Sequence, residues 1–287
     1  MARLGEYDIS NPFEATVVET ARITPPDSKE DIRHIVLDIS GSGFHFVEGQ
    51  SVGVLVPPPF AAGQKQHFRL YSVASSRQGD DGKDKTIALC VKRCSYIDDF
   101  SGEEYKGIAS NYLCDLTPGA KVTMTGPYGV AFVVPADDTC NMLLIALGTG
   151  IAPFRAFVKH IYETRGGWKG KVRLFYGGKS GLDLAYMNDE KNDFAQYYDE
   201  ETFKAFQAVS PRPHMDDPIE WEKALEQHAE EVWELLKDPK TYVFIGGLEK
   251  IMEPLSKAFV KMAGSEPQWE QKKNELVGAN RWFELLY

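Results

Sequence analysis

A cationic side chain, an aromatic ring and several hydroxyls are concentrated in one short segment, residues 69–76. In an extended strand successive side chains point to opposite faces, so Arg69 and Tyr71 share one side while Leu70 and Ser72 share the other. A guanidinium binds two phosphate oxygens together, and a tyrosine ring offers a surface for stacking. The set suits a flavin dinucleotide, although an edge strand with a surface arginine would carry the same residues.

Two further segments could hold phosphates through the backbone. Residues 107–113 place small residues ahead of a predicted helix, whose first N–H groups can bind a pyrophosphate. A helix cap without a ligand would give the same pattern. In residues 147–155, Gly148 and Gly150 follow an apolar strand and permit close approach of a dinucleotide, and Pro153 suits an early helical position. A plain tight turn is the alternative there.

The elements that position these segments change character along the chain. Short β-like runs between turns of Gly, Pro and Asp predict an antiparallel β-barrel for the first part, with strands at 15–19, 52–56, 86–91 and 121–125. After Pro135, buried strands alternate with helices, which predicts an α/β doubly wound sheet. Its predicted strands are 141–147, 172–176, 206–209 and 241–245, with helices at 152–163, 220–234 and, last, 253–262.

Length and composition agree with two domains. The chain has 287 residues, of which 43% are hydrophobic, and no apolar run is long enough to span a bilayer. We therefore expect a two-domain protein, with domains at 1–136 and 137–287 divided by the polar turn at 135–138. Residues 1–6 lack the apolar core of a secretion signal, so the expected location is the cytoplasm.

Charge and cysteine spacing exclude several function classes. The net charge of −10 disfavours nucleic acids and anionic membranes as partners. The four cysteines form no close CxxC pair, so a zinc ribbon, an iron–sulfur ligand run and a thioredoxin-type pair are not expected. We predict no metal site, and any one-electron partner must be a separate molecule.

Several segments, taken in order, resemble one known family. Residues 69–76, 90–96, 107–113 and 125–129 resemble the flavin-binding blocks of plant-type ferredoxin-NADP+ reductases, and 147–155 resembles the NADP-binding loop of that family. The resemblance implies an FAD-binding antiparallel β-barrel domain followed by an NADP(H)-binding α/β domain. It also implies that the cofactors are FAD and NADP(H).

The resemblance assigns roles to residues of the barrel. Arg69 is expected to bind the pyrophosphate, Tyr71 to stack on the isoalloxazine and Ser72 to lie near the flavin N5. Tyr96 is the expected platform for the adenine, and Lys92 either reaches the phosphates of the nicotinamide nucleotide or is a solvated strand lysine. The other expected flavin-binding residues are Leu70, Cys90, Val91, Gly107, Ile108, Ala109 and Ser110.

In the second domain the resemblance assigns a nucleotide site. Thr149, Gly150, Gly247 and Leu248 are expected to bind the dinucleotide. Ser210 and Arg212 match the segment that holds the 2′-phosphate, with the arginine displaced by one residue through Pro211. Asp216 and Asp217 follow, and two carboxylates near a phosphate would repel it. On balance NADPH is favoured over NADH.

The expected catalytic group is Ser72, Tyr287 and Glu284. A C-terminal tyrosine resembles the plant-type enzymes, in which the last ring covers the flavin face that the nicotinamide must reach. Glu284 lies one position away from the family's glutamate. Gly246 stands where the family has an active-site cysteine, so no thiol assists hydride transfer here and the geometry must rest on cofactor stacking.

These features predict an FAD-containing oxidoreductase that transfers electrons between NADPH and a separate carrier, ferredoxin or flavodoxin. The alternatives are a reductase component that feeds an oxygenase partner directly, and a non-catalytic flavin- or nucleotide-binding regulatory subunit, an idea prompted by Gly246. An acidic carrier could dock on cations near the flavin, or these residues are ordinary solvated charges: Lys65, Arg77, Lys83 and Lys85.

Overall fold

The computed structural model describes residues 4–59, 66–98, 100–129, 132–199 and 201–287, so Lys65 lies outside the described residues. Contacts within the chain divide it into two compact units, Met1–Val130 and Ala131–Tyr287. Phe132 already belongs to the second unit, because its ring packs against Phe154 and Phe244 there. Each unit has a hydrophobic core of its own.

The described residues of the first unit form eight strands and one α-helix. Six strands form one sheet and the other two form a hairpin, and every strand pairing is antiparallel. The six strands of that sheet lie in the order β4-β3-β8-β1-β2-β5. The elements are β1 (Phe13–Arg22), β2 (Ile32–Asp38), β3 (Ser51–Val56), β4 (His67–Ser72), β5 (Thr86–Lys92), β6 (Ser95–Ile97), β7 (Glu104–Lys106), α1 (Ile108–Asp115) and β8 (Lys121–Tyr128).

The sheet closes into a barrel through the residues just beyond the end of β4, which pair with β5. Val73 pairs with Leu89, and the Ala74 N–H donates to the Ala88 carbonyl oxygen at 2.7 Å. Closure removes the exposed edge that β4 would otherwise present. The predicted antiparallel barrel is therefore confirmed.

Gly53 allows β3 to lie close to its neighbours. The pairing of β3 with β8 shifts register between Ser51 and Gly53, which is the signature of a bulge. A Cβ atom at Gly53 would lie 2.1 Å from Cε2 of Phe68, so a larger residue would displace that ring. The glycine thus sets the path of the strand that pairs with the candidate flavin segment.

The second unit is a parallel sheet with helices. Among its described residues the strand order is β11-β10-β9-β12-β13, and every pairing is parallel. The elements are β9 (Asn141–Leu147), α2 (Ala152–Lys159), β10 (Val172–Gly178), β11 (Phe203–Val209), α3 (Trp221–Glu226), α4 (Ala229–Lys237), β12 (Thr241–Gly247), α5 (Met252–Ala263), α6 (Glu266–Gly278) and β13 (Trp282–Leu286).

The strand order reverses between β9 and β12, since the chain builds β10 and β11 on one side of β9 and then returns to the other side. In open α/β sheets, ligands bind at the carboxyl ends of the strands at such a point. The predicted α/β doubly wound sheet is confirmed, and β9 is buried throughout because helices cover both faces.

Three helix predictions differ from the structure. The helix expected over 152–163 is α-helical only to Lys159 and continues as a π-helix over His160–Thr164. The helix expected over 220–234 is two helices, α3 and α4, interrupted at Gln227 and His228. The helix expected to be last, over 253–262, is followed by α6. None of the helices in the described ranges is long and apolar enough to cross a membrane.

Candidate functional site

Arg69 presents a cation at the surface of the first unit. It lies in β4, is exposed, and donates to the carbonyl oxygen of its neighbour Phe68 at 2.8 Å. No acidic side chain among the described residues pairs with it. A guanidinium without an acidic partner retains the capacity to bind an anionic ligand.

Tyr71 is partly buried on the same face of β4. Its ring packs against the barrel core, and it lies directly opposite the fully buried Val52 of β3. Burial raises the pKa of the Tyr71 phenol, and the nearby thiols of Cys114 and Cys94 raise it further. The phenol therefore stays neutral, as stacking against a flat ring requires. Leu70 and Ser72 alternate to the other face of the strand, opposite Gly53 and Ser51.

The block at the end of β5 is mostly internal. Cys90 and Val91 are buried, so only their backbone could meet a ligand. Lys92 forms an ion pair with Glu30 and is partly exposed. Of the two interpretations of Lys92, this position agrees with a surface lysine that a ligand would have to attract away from its carboxylate.

Tyr96 lies in the hairpin formed by β6 and β7. It is directly opposite Tyr105, and the two rings stack with centroids 5.6 Å apart. Tyr96 is 59% exposed and Tyr105 is 43% exposed, so the pair offers an aromatic surface to a ligand. The sequence pattern did not single out Tyr105, because the three-residue strand β7 that brings it opposite Tyr96 is too short to predict.

The start of α1 offers backbone donors. The N–H groups of Ile108, Ala109 and Ser110 are in the first turn, where no helical carbonyl can accept from them. The Ser110 hydroxyl, in contrast, accepts from the Cys94 N–H at 3.1 Å. The expected contribution of this segment is therefore its amides, and Gly107 keeps them accessible because it carries no side chain.

A partly buried polar network fixes the start of α1. The Asn111 side chain donates to the carbonyl oxygens of Cys94 and Gly107, each at 2.8 Å. Arg93 donates to Asn111 at 3.0 Å and to Asp31 at 2.9 Å. Burial opposes ionisation of Asp31, but hydrogen bonds from Arg93 and Arg33 lower the pKa of its carboxyl overall. The helix start is thus held rigid before any ligand arrives.

The loop that follows the flavin segment is held by an ion pair between the exposed Arg77 and a buried carboxylate. Glu48 is only 2% exposed, and it accepts from the Arg77 backbone at 2.7 Å and from the Arg77 guanidinium. This pairing raises the pKa of Arg77. Arg77 therefore has a structural partner, whereas Lys83 and Lys85 are exposed near Asp81 and Asp84.

In the second unit, the predicted nucleotide residues gather at the carboxyl ends of the parallel strands. Thr149 and Gly150 lie in a 3-10 turn, Gly148–Ile151, directly after β9. Gly148 has φ +56, and its carbonyl oxygen accepts from the buried Tyr176 hydroxyl at 3.0 Å. Gly247 and Leu248 come at the end of β12, the strand beside β9, so the structure brings both groups to the switch point.

Gly150 and Gly246 approach each other without side chains between them. A Cβ atom at Gly150 would lie 2.2 Å from the Gly246 carbonyl oxygen, and one at Gly246 would lie 2.7 Å from the Gly150 carbonyl oxygen. Neither position can carry a side chain without a shift of the backbone. Gly246, which stands in place of the family's cysteine, therefore brings the backbone of β12 into direct contact with the turn after β9.

Tyr287 is hydrogen-bonded at the same carboxyl end of the parallel strands. Its backbone N–H donates to the Gly247 carbonyl oxygen at 3.0 Å, and its hydroxyl is 2.7 Å from the Thr149 hydroxyl. The residue is nevertheless 59% exposed. Thr149 and Tyr287, predicted separately from two distant segments, are thus in direct contact within the second unit.

Glu284 has a different environment. Its carboxylate accepts from the Trp282 indole at 2.6 Å and lies 3.5 Å from the Lys273 ammonium of α6. These contacts anchor β13 to α6, and they do not include the turn of Thr149. The catalytic role expected for Glu284 stays a prediction.

The segment expected to bind a 2′-phosphate follows β11. Ser210 is buried and Arg212 is exposed, and Arg212 donates to Asp217 at 2.7 Å. The Ser210 N–H donates to the carbonyl oxygen of Lys179 at 3.2 Å, which places Lys179 beside this segment. The sequence pattern did not single out Lys179, although its place three residues after the predicted strand 172–176 was a usable signal.

Comparison with known proteins decides the family. Residues 144–257 match the model of the oxidoreductase NAD-binding domain. A ferredoxin–NADP reductase of Spirulina sp is 31% identical over 98% of this chain and 97% of that protein. The chloroplastic leaf isozyme 1 of Oryza sativa subsp. indica is 35% identical over 98% of this chain and 78% of its own length. The chain belongs to the ferredoxin–NADP reductase family.

A solved structure in the ferredoxin–NADP reductase family shares the fold. The structure of the ferredoxin-NADP+ reductase of Plasmodium falciparum superposes on this one over 98% of each chain, with a TM-score of 0.74 and 21% sequence identity. FAD and NADP(H) are the cofactors of the family. The residues described above fit them, since the first unit combines a cation, helix-start amides and exposed aromatic rings, and the second has a glycine turn at its switch point.

Proposed function

We propose that this protein is an FAD-dependent oxidoreductase that transfers electrons between NADP(H) and ferredoxin. The observation that carries the proposal is that the likeness to ferredoxin–NADP reductases extends over 98% of the chain, and so includes the candidate sites of both units. FAD, when bound, supplies the chemistry that links hydride transfer to one-electron transfer.

The chain's own residues have the task of binding and orientation. Arg69 and the α1 amides would hold the flavin pyrophosphate, Tyr71 would stack on the flavin ring, and Tyr96 with Tyr105 would receive the adenine. In the second unit, the turn after β9 would receive the nucleotide. The roles of Ser72 and Tyr287 at the reacting rings belong to the proposal as well.

The hypothesis of a separate carrier agrees better with the relatives than the other two hypotheses do. Both relatives compared above are named ferredoxin–NADP reductase, and the packing of Gly246 against Gly150 gives a structural reason for the missing thiol that prompted the idea of a regulatory subunit. Flavodoxin as an alternative carrier and a cytoplasmic location stay predictions. The rice relative is chloroplastic.

The test is a reconstitution with FAD followed by electron transfer. We expect the protein to bind FAD stoichiometrically, and NADPH to bleach its flavin absorbance. Cytochrome c reduction should then depend on added ferredoxin. Protein that stays colourless in excess FAD would refute the proposal, and full turnover without ferredoxin would refute the carrier and favour direct delivery to a partner.

A further inference from the structure

Two cations at the carboxyl ends of the parallel strands of the second unit are each paired with an aspartate. Lys179, which follows β10, forms an ion pair with Asp216. Arg212, which follows β11, donates to Asp217 at 2.7 Å. Because β10 and β11 are neighbours, two consecutive acidic residues neutralise cations from two adjacent strand ends.

A buried hydroxyl lies in the same place. Ser210 is 4% exposed, and its Oγ has no hydrogen-bond partner among the described residues. Buried hydroxyls without a partner are uncommon because they lose their bonds to water without compensation. An oxygen-rich ligand that reached this hydroxyl would supply the missing bond.

We propose that Asp216 and Asp217 are specificity-determining residues that weaken the preference for NADPH over NADH. Their carboxylates hold the cations, Lys179 and Arg212, that would otherwise bind the 2′-phosphate. The inference rests on the proposed function and adds two acidic residues and one lysine to it. NADH carries a hydroxyl in place of this phosphate, so the carboxylates penalise NADPH alone.

The exposure of the two pairs indicates how the penalty arises. The side chains of Lys179 and Asp216 are 43% and 74% exposed, and those of Arg212 and Asp217 are 64% and 22% exposed. Exposed ion pairs contribute little stability, so a phosphate can displace them. After displacement the two carboxylates remain in the same segment as Arg212, which would hold the phosphate. Repulsion between these like charges opposes binding of the phosphorylated nucleotide.

Amide substitutions test this charge without changing the shape of the loop. Asp216 has φ +59, a left-handed conformation that asparagine tolerates well. We therefore choose the double variant Asp216→Asn with Asp217→Asn. Calorimetric titration of the FAD-loaded protein with adenosine 2′,5′-bisphosphate and with 5′-AMP separates the phosphate contribution from the rest of the nucleotide.

The double variant should bind adenosine 2′,5′-bisphosphate about tenfold more tightly than the wild type, which corresponds to about 1.4 kcal/mol, and 5′-AMP equally. Lys179→Met should weaken binding of the bisphosphate and leave 5′-AMP unchanged. A control double variant, Glu234→Gln with Glu253→Gln, removes the same charge from two exposed helical pairs and should change neither affinity.

Two outcomes would overturn the inference, and only the second would also overturn the proposed function. If 5′-AMP binds but the Asp216→Asn, Asp217→Asn variant shows no gain for the bisphosphate, or the control gains as much, the carboxylates do not set specificity while the proposed function stands. If neither nucleotide binds to any variant or to the wild type, the nucleotide site of the proposed function is wrong, and this inference fails with it.

Discussion

At the scale of single residues, Arg69 is the side chain whose charge the flavin site depends on most directly. It is exposed, and no acidic residue in the described part of the chain competes for it. By contrast, Lys92 and Arg77 in the same unit are committed to Glu30 and Glu48. A phosphate that binds Arg69 therefore gains a charge-assisted bond without breaking an ion pair.

Arg69→Met should weaken FAD binding about 10- to 100-fold, because hydrogen bonds to charged groups contribute about 1.5–3 kcal/mol. The quenching of FAD fluorescence on titration with apoprotein measures the affinity. Lys83→Met, which removes an exposed cation from the same unit, is the matched control and should bind FAD normally. Wild-type FAD affinity in the Arg69 variant would show that the pyrophosphate lies elsewhere.

Gly246→Cys, which restores the family's thiol, should lower the free energy of unfolding by about 1–3 kcal/mol, as overpacking does. The reason is the position of the Gly150 carbonyl oxygen, 2.7 Å from where the new Cβ would lie. Urea unfolding measures the change. Gly278→Ala is the control, because its Cβ would meet nothing within 4 Å. A Gly246→Cys variant as stable as the wild type would contradict the close packing of Gly246 against the turn after β9.

At the scale of elements, the network around Asp31 links β2 to the start of α1. Asp31→Asn should lower the free energy of unfolding at pH 7 by about 1.5–3 kcal/mol, since Arg93 loses a charged partner. The pKa of Asp31 is lowered on folding, so its contribution is present above the unfolded value, about 3.9, and is lost as the pH falls through the folded pKa.

The difference between wild type and Asp31→Asn should therefore narrow below about pH 4 in urea unfolding at pH 7, 5 and 3. Asp27→Asn, an exposed acid before β2, is the control and should match the wild type throughout. A difference that stays constant with pH would mean that packing, and not the charge of Asp31, stabilises the helix start.

The turn after β9 and the end of β13 are joined by the two hydroxyls of Thr149 and Tyr287. Because this bond holds the Tyr287 side chain against the turn that would receive the nucleotide, Tyr287→Phe should tighten NADP+ binding about 2- to 10-fold, the range of one hydrogen bond. Titration of the FAD-loaded protein with NADP+ measures the affinity. An affinity equal to that of the wild type would show that the bond does not restrain the turn.

Sequence patterns predicted those elements whose burial is periodic or complete, such as β9, and missed those whose burial is sparse. In α6 only Trp269 and Leu276 are buried, so the helix has no apolar stripe that would reveal it. The site residues divide in the same way. Arg69 and Gly150 belong to local sequence motifs and could be predicted, whereas Lys179 and Asp216 are 37 positions apart and come into contact only through the fold.

At the scale of the whole molecule, the aromatic residues separate the two units spectroscopically. All five tryptophans belong to the second unit: Trp168, Trp221, Trp233, Trp269 and Trp282. Tryptophan emission therefore reports unfolding of the second unit, while the release of FAD reports the first.

Adenosine 2′,5′-bisphosphate at 100 times its Kd should raise the stability seen by tryptophan emission by about 2.7 kcal/mol. It should leave the urea concentration at which FAD is released unchanged, because the two ligands bind to units with separate cores. Equal shifts of both signals would show that the units unfold together.

Cys94 is the exposed member of the four cysteines, all of which lie in the described residues, and it contacts the start of α1 through its backbone. A maleimide dye should therefore attach at a single position, without mutagenesis, beside the amides that would receive the pyrophosphate. Quenching of such a dye would follow the arrival and departure of the yellow cofactor in real time.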